Sequence, residues 1–173
     1  MATHDPFPHA QPTRYDVALI LKLYYGFAAT RFGTWCARSV LLPIDDQLMR
    51  RSRGRLSIVG SPAMRVLVLT STGHKSGRPR DTPLTYIRDG HRLLVLGSNL
   101  GQPHHPDWSY NLIANPDASV TIAGTAIPVR ASLLTGDERE HALAHFLTQT
   151  IYRQYHARAH RELRLFALAR RSP

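Results

Sequence analysis

The sequence predicts an α+β, mainly β domain: an antiparallel barrel or sheet with flanking helices. Three observations predict it. Short β-prone runs between Arg65 and Leu134 are joined by hairpin signals instead of helices. A single short helix interrupts those runs, and one long helix follows them. A doubly wound α/β fold needs helices between successive strands, and that order excludes it. At 173 residues with 43% hydrophobic content the chain is an ordinary globular one. It fits one domain that buries roughly 70% of its unfolded surface.

Residues 1–13 are polar and proline-rich, which predicts a flexible tail and not a secretory signal. Residues 14–60 predict a helical extension. Arg14 to Thr30 is apolar with a helical pattern, a second piece runs from Phe32 to Leu42, and Pro43 ends it. Asp45 and Asp46 then cap a third short helix through about Arg53. Residues 14–42 read either as packing on the domain or as lying on an anionic membrane surface. Lys22, Arg31 and Arg38 interrupt the best apolar stretch, so no spanning helix is predicted. The single Cys36 excludes an internal disulfide framework and fits a reducing, cytoplasmic setting.

The barrel domain, residues 61–173, begins after Gly60-Ser-Pro62. Arg65 to Thr72 is the first strand and Thr82 to Arg88 the second, and Asp89-Gly90 turns the chain into Arg92–Leu96. A polar loop, Ser98 to Pro106, precedes a helix from about Asp107 to Ala114, closed by Asn115-Pro116. Ser119–Ile122 and Ala126–Leu134 pair across Ala123-Gly124. Thr135-Gly-Asp-Glu138 has capping-box spacing and opens the long helix. Leu163 to Leu168 is the final strand, and no internal repeat is visible.

Charge is the strongest compositional signal. The formal net charge is +10, and Gln47 to Arg80 contains no acidic residue. That run holds Arg50, Arg51, Arg53, Arg55, Arg65, Lys75, Arg78 and Arg80. A pI of 10.6 implies attraction to polyanions: nucleic acid, anionic lipid or phosphorylated small molecules. Aromatic residues do not interleave with the arginines, so nucleic acid is not the expected partner. Gly73-His-Lys-Ser-Gly77 is not a nucleotide P-loop, because Pro79 and Pro83 force extended chain where a helix is required. It reads either as an anion cradle of backbone amides with Lys75 and Arg80, or as a glycine-rich turn with solvated charges.

Other constellations carry less chemistry. Trp108 and Asn111 share a helix face at i, i+3, with Trp108 readable as site wall or as core. His104 and His105 are adjacent and diverge. His141/His145 and His156/His160 have helical spacing without further ligands, so solvated helix faces and no metal are predicted. No Gly-x-Ser-x-Gly elbow is present, which leaves a hydrolytic nucleophile unsupported. Tyr152 and Tyr155 either offer a phenol to a pocket or cover the barrel end.

Four ordered stretches resemble the deazaflavin-dependent nitroreductase family. They are Leu69-Thr-Ser-Thr-Gly-His-Lys-Ser-Gly-Arg-Pro-Arg-Asp-Thr-Pro-Leu84, Tyr86-Ile-Arg-Asp-Gly90, Ser98-Asn-Leu-Gly-Gln-Pro-His-His-Pro-Asp-Trp108 and Asn111-Leu-Ile-Ala-Asn-Pro116. Similarity is strong over about Val66 to Arg130 and weaker to Leu168. The resemblance implies a split β-barrel of the FMN-binding, flavin-reductase type, with coenzyme F420 as hydride carrier and FMN as the alternative. It implies that Lys75, Ser76 and Arg80 hold the anionic coenzyme tail and that Asp81, Thr82, Pro83 and Thr85 line the coenzyme. Gly97, Ser98 and Asn99 then lie near the deazaflavin ring, Trp108 and Asn111 close the site, and Tyr152 faces the substrate. Ser98 and Tyr152 are the implied catalytic residues, orienting or protonating the acceptor.

The implied activity is a reductase moving hydride to an activated alkene, quinone or nitro compound, as monomer or homodimer. A non-catalytic deazaflavin or FMN carrier is the alternative, and a basic nucleic-acid binder the third reading. The chain departs from the family pattern at His74, where arginine is usual, and at Leu100, Thr85, Gln149-Thr-Ile-Tyr152 and Leu163-Arg164. These departures bear on nitro reduction more than on coenzyme binding.

Overall fold

Six antiparallel strands close into a barrel in the computed structural model, which describes residues 7, 8, 44, 47, 51 and 65–171. In chain order they are β1 (Val66–Thr72), β2 (Pro79–Asp89), β3 (Arg92–Leu96), β4 (Asp117–Ile122), β5 (Thr125–Leu133) and β6 (Leu165–Arg170). The order around the barrel is β1-β2-β3-β6-β5-β4, and β4 returns to β1 with Leu69 opposite Val120. Helix α1 (Asp107–Ala114) lies between β3 and β4, and α2 (Gly136–Leu147) and α3 (Thr150–Ala159) lie between β5 and β6. A 3-10 turn, Asn99–Gly101, follows β3. The β4–β5 hairpin turns at Ala123 and Gly124, both at positive φ (48° and 84°), as a two-residue hairpin turn requires.

Two apolar clusters organise the domain. One fills the barrel: Leu67 and Leu69 of β1, Leu93 and Val95 of β3, Val120, Ile122, Ile127, Val129, Phe166 and Leu168, plugged at one end by Trp108 and Leu112 of α1. The other lies outside, where Leu94 and Leu96 of β3 and Leu165 and Ala167 of β6 meet Leu143, Phe146 and Tyr152 of the two late helices. Successive strand residues point to opposite faces, so β3 and β6 are apolar throughout because both of their faces are covered. By contrast β5 alternates buried and exposed residues along Ala126–Ser132, the pattern of a strand with one face in water.

The described structure corrects several expectations. β2 begins at Pro79, three residues before the predicted start; proline is tolerated at the first position of a strand, and Pro79 pairs there with Thr72. β6 begins at Leu165, two residues after the predicted start, and the Leu163 carbonyl before it accepts from Arg139 of α2 at 3.3 Å. The predicted long helix is two. Thr148 donates its hydroxyl back to the His145 carbonyl at 2.8 Å, and Gln149 is extended (φ −90°, ψ 127°). Helix α3 then restarts, with Tyr152 N–H donating to Gln149 O at 3.1 Å. Consecutive Thr-Gln-Thr supplies two β-branched residues and a hydroxyl that competes with the helical ladder. Thr135 stands at the N-cap of α2, but its hydroxyl makes no cap hydrogen bond, and Gly136 follows at φ +56°.

Of the predicted flexible tail, Phe7 and Pro8 are described. Phe7 is 3% exposed in the barrel cluster, and Arg88 Nη2 donates to the Phe7 and Pro8 carbonyls at 3.1 and 2.6 Å. Of the predicted helical extension, Ile44, Gln47 and Arg51 are helical and exposed; residues 14–42, including Cys36, lie outside the described residues. The 3-10 turn seats directly on α3. A Cβ at Gly101 (φ +77°) would lie 3.0 Å from the Tyr155 carbonyl oxygen and 3.0 Å from Arg158 Cβ.

Two stability measurements test this packing. Phe166→Ala, at a 1% exposed position, is expected to lower the unfolding free energy by about 3–5 kcal/mol in denaturant titration. Leu133→Ala, at a 44% exposed position, is expected to change it by less than about 0.5 kcal/mol. Equal losses would show that the two-cluster description is wrong. Gly101→Ala is expected to cost about 1–3 kcal/mol, since it combines a left-handed backbone with a backbone clash.

Candidate active site

The basic loop closes between β1 and β2. Gly73 N–H donates to Arg78 O at 2.9 Å and Gly77 N–H to Gly73 O at 2.7 Å, so the chain reverses within six residues, Gly73 to Arg78. A Cβ at Gly73 would meet Ser76 Oγ at 2.7 Å, and Gly77 sits at φ +63°; both glycines are demanded by the turn. His74, Lys75, Ser76, Arg78 and Arg80 are all exposed. Among the described residues, the side chains of Lys75, Arg78 and Arg80 have no acidic partner. The nearby carboxylate of Asp81 instead accepts from Thr70 Oγ1 at 2.7 Å across the ladder.

A brace from α1 fixes this loop. Asn111 Oδ1 accepts from His74 N–H at 3.0 Å and from His74 Nδ1 at 2.8 Å, while Asn111 Nδ2 donates to Ser71 Oγ at 3.1 Å. Asn111 is 4% exposed, and both ends of its amide hold protein. Trp108, one helical turn away, is 5% exposed with its ring 5.6 Å from Phe166. The shared face of Trp108 and Asn111 therefore points into the fold: Trp108 plugs the barrel and Asn111 anchors the basic loop.

β2 divides the predicted lining by its pleat. Leu84 and Tyr86 pack into the barrel, which places Thr82 on the inward face and Asp81, Pro83 and Thr85 on the outward one. Thr85 meets the Tyr152 hydroxyl of α3 in a short hydrogen bond between residues far apart in sequence. Tyr152 is itself 6% exposed, and its ring packs edge-on against Phe146 at 5.3 Å. The two hydroxyls border a cavity of about 240 Å³ whose lining also includes Arg65, Tyr86, Ile87, Arg88, Phe146 and Gln149. None of those six was nominated from sequence. Arg65 belongs to the acid-free run, but nothing local distinguishes it from its neighbours.

The Ser98 loop completes the constellation. Gly97 N–H donates to Arg164 O at 2.8 Å, and a Cβ there would lie 3.2 Å from the same oxygen, so the close approach of the chain just before β6 favours glycine at this point. Among the described residues the Ser98 hydroxyl has no hydrogen-bond partner, whereas Asn99 Nδ2 donates to His104 O at 3.0 Å. Gly101 brings this loop onto α3 one turn from Tyr152. The four paired histidines of the late helices, His141, His145, His156 and His160, are exposed. Among the described residues no three His, Cys, Asp or Glu side chains converge as a metal set. No described helix is long and apolar enough to cross a membrane.

The donor set fits an elongated anionic coenzyme. Cations without acidic partners among the described residues, around a tight glycine loop, suit phosphate or carboxylate, and a cavity bordered by two hydroxyls lies farther along the same strand. The chain is similar to several known proteins. Over 146 residues the chain is 33% identical to an F420H(2)-dependent quinone reductase of Mycobacterium tuberculosis (strain ATCC 25618 / H37Rv), a match covering 79% of this chain and 97% of the relative. A solved F420-H2 dependent reductase (FDR-A) superposes with a TM-score of 0.55 at 31% identity, over 60% of this chain and 93% of that one. A second solved structure, described as a domain-swapped dimer, gives 0.57 at 27% identity, over 78% of this chain and 98% of that one. With the family model matching residues 43–169, the chain belongs to the F420H(2)-dependent quinone reductase family.

Proposed function

We propose that this chain reduces quinones with reduced coenzyme F420, using β2 as the spine of its site. One observation carries the reading: the cationic loop, without acidic partners among the described residues, stands at the start of β2, and the Thr85–Tyr152 cavity opens along the same strand. From Arg80 to Thr85 the strand advances about 17 Å, which separates an anion-binding end from a reacting end. When bound, the reduced coenzyme supplies a hydride. Lys75 and Arg80 hold its phosphate and carboxylate tail by charge-assisted hydrogen bonds. Ser98 directs its hydroxyl toward the ring side, and the cavity wall of Phe146, Ile87 and Tyr86 limits water.

The acceptor end needs stabilisation of negative charge and a proton. A quinone oxygen becomes anionic as hydride arrives, and Arg65 and Arg88 in the cavity lining favour that charge. Tyr152, held by Thr85, orients and protonates the developing oxyanion. A nucleophile is not required for this chemistry.

Lys75→Ala and Arg80→Ala are each expected to weaken F420 binding by about tenfold, more at low salt than at high, with unchanged melting. Fluorescence titration of the purified protein measures this, and an unchanged affinity in the double variant would remove the clamp. Tyr152→Phe retains the ring packing against Phe146 and is expected to lower kcat by about a hundredfold while leaving coenzyme affinity within about twofold. A full-rate Tyr152→Phe enzyme would exclude the phenol as proton donor. Titration with FMN in parallel separates the flavin reading.

The basic extension supports a further location for the acceptor. Quinones partition into bilayers, and a net charge of +10 favours anionic surfaces. The full chain is expected to co-sediment with anionic and not with zwitterionic vesicles at low salt; failure on both removes the membrane reading.

A further inference from the structure

The turn that carries Ser98 is held in a backbone conformation that L-residues avoid. Asn99, Leu100 and Gly101 follow one another at positive φ of 46°, 54° and 77°. Such a run persists only where the surroundings over-determine it. The Asn99 side-chain bond to His104 O is one tie. Further ties come from Arg161, between α3 and β6.

Arg161 Nε donates to Gln102 O at 3.0 Å, and Nη2 donates to Gly97 O at 3.1 Å and Ser98 O at 3.3 Å. Nη1 donates to His105 Nδ1 at 3.0 Å and to Glu162 O at 3.2 Å. A guanidinium has five N–H groups, and these bonds use all of them. No acceptor in the set is a carboxylate. The Glu162 side chain lies instead 3.1 Å from Arg139 Nε, an ion pair without hydrogen-bond alignment. Among the described residues Arg161 therefore has no acidic partner, and no donor is left for a ligand. Four of its five bonds are directed at the loop from Gly97 to His105.

We propose that Arg161 is the positioning residue of the Ser98 loop, holding the strained turn in place and fixing His105 with its proton on Nε2. The consequence for coenzyme binding rests on the function proposed above; the loop and tautomer claims do not. Because Arg161 Nη1 is a donor, His105 Nδ1 must accept, which leaves Nε2 as the protonated nitrogen. The groups facing His105 are Arg164, Arg161, Glu162 and the edge of Tyr110, whose ring lies 6.0 Å away. Burial pushes His105 below its ordinary value of 6.5; Arg164 and Arg161 add to that, and Glu162 opposes it. His105 is thus a neutral donor of defined direction near pH 7. Lysine cannot substitute for Arg161, since an ammonium offers three donors from one point and these acceptors surround a planar fork.

Nitrogen-15 NMR of the wild-type chain tests the tautomer. The expected result is an Nε2–H imidazole at neutral pH that titrates below its ordinary value. Protection of amides 97–105 follows the same group. Above pH 6.5 the ring is neutral in the folded and unfolded chain alike, and below it the unfolded chain takes the proton first. Loop protection is therefore full above that pH and is lost as pH falls toward the depressed value.

In Arg161→Gln the His105 titration should move upward, and in both Arg161→Gln and Arg161→Lys amides 97–105 should exchange about tenfold faster. F420 affinity should fall by about tenfold in both variants. An Nδ1–H tautomer in the wild type overturns the proposal, and so do unchanged His105 titration and loop exchange in folded Arg161→Gln. Full rescue by lysine would show that charge alone suffices and overturns the planar-fork argument. Should neither variant fold, the wild-type tautomer decides. A wild-type chain that fails to bind F420 would remove the coenzyme reading while the NMR results still judge Arg161.

Discussion

Burial of β3 and β6 on both faces is the constraint on which the rest of this structure depends. Inside, Leu93, Val95, Phe166 and Leu168 close the barrel; outside, Leu94, Leu96, Leu165 and Ala167 seat the late helices. Covering the outer face requires a helical layer, and the break at Thr148–Gln149 bends that layer so that Phe146 and Tyr152 meet edge to face. The same bend carries the Tyr152 hydroxyl to Thr85 on β2. Packing energy thus sets the position of the Tyr152 hydroxyl. Because a well-packed interior transmits small displacements, the outer cluster and the cavity are mechanically one unit.

Electrostatics is organised at the opposite end of β2 by separating charge from support. Lys75, Arg78 and Arg80 remain exposed, while the loop that carries them is locked by Gly73, Gly77 and the buried amide of Asn111. A rigid backbone lowers the ordering cost of binding an anion, and exposed heads make that binding sensitive to salt. His74 contributes to this rigidity through its two bonds to Asn111.

The Ser98 loop shows a third way of holding a site. Its backbone is unfavourable by itself and is maintained by a glycine seat on α3 and by one guanidinium reaching from the chain before β6. Basic loop, β2 cavity and Ser98 loop each receive a brace from a helix or connection distant in sequence. The barrel is accordingly the common reference for all of them, in keeping with a fold that places its chemistry on loops and helices around a rigid core.

Local sequence by itself determined the strands, their hairpin order, the short helix after the Ser98 loop and the cationic, glycine-rich character of Thr70 to Arg80. These follow from period, turn chemistry and uncompensated charge, which act within a few residues. Even the ambiguous parts were local in origin: the apolar run Leu93–Leu96 cannot reveal which side chains face the barrel, since both faces are buried. Only the tertiary structure decided that Trp108 is core, that Asn111 braces a loop, that Thr82 and Thr85 face opposite ways, and that the late helix is broken. It alone brought Tyr152 to Thr85 and Arg161 to Gly97 and Ser98. Those contacts join positions more than sixty residues apart, where no local period or turn signal reaches and only the closure of the barrel sets the distance.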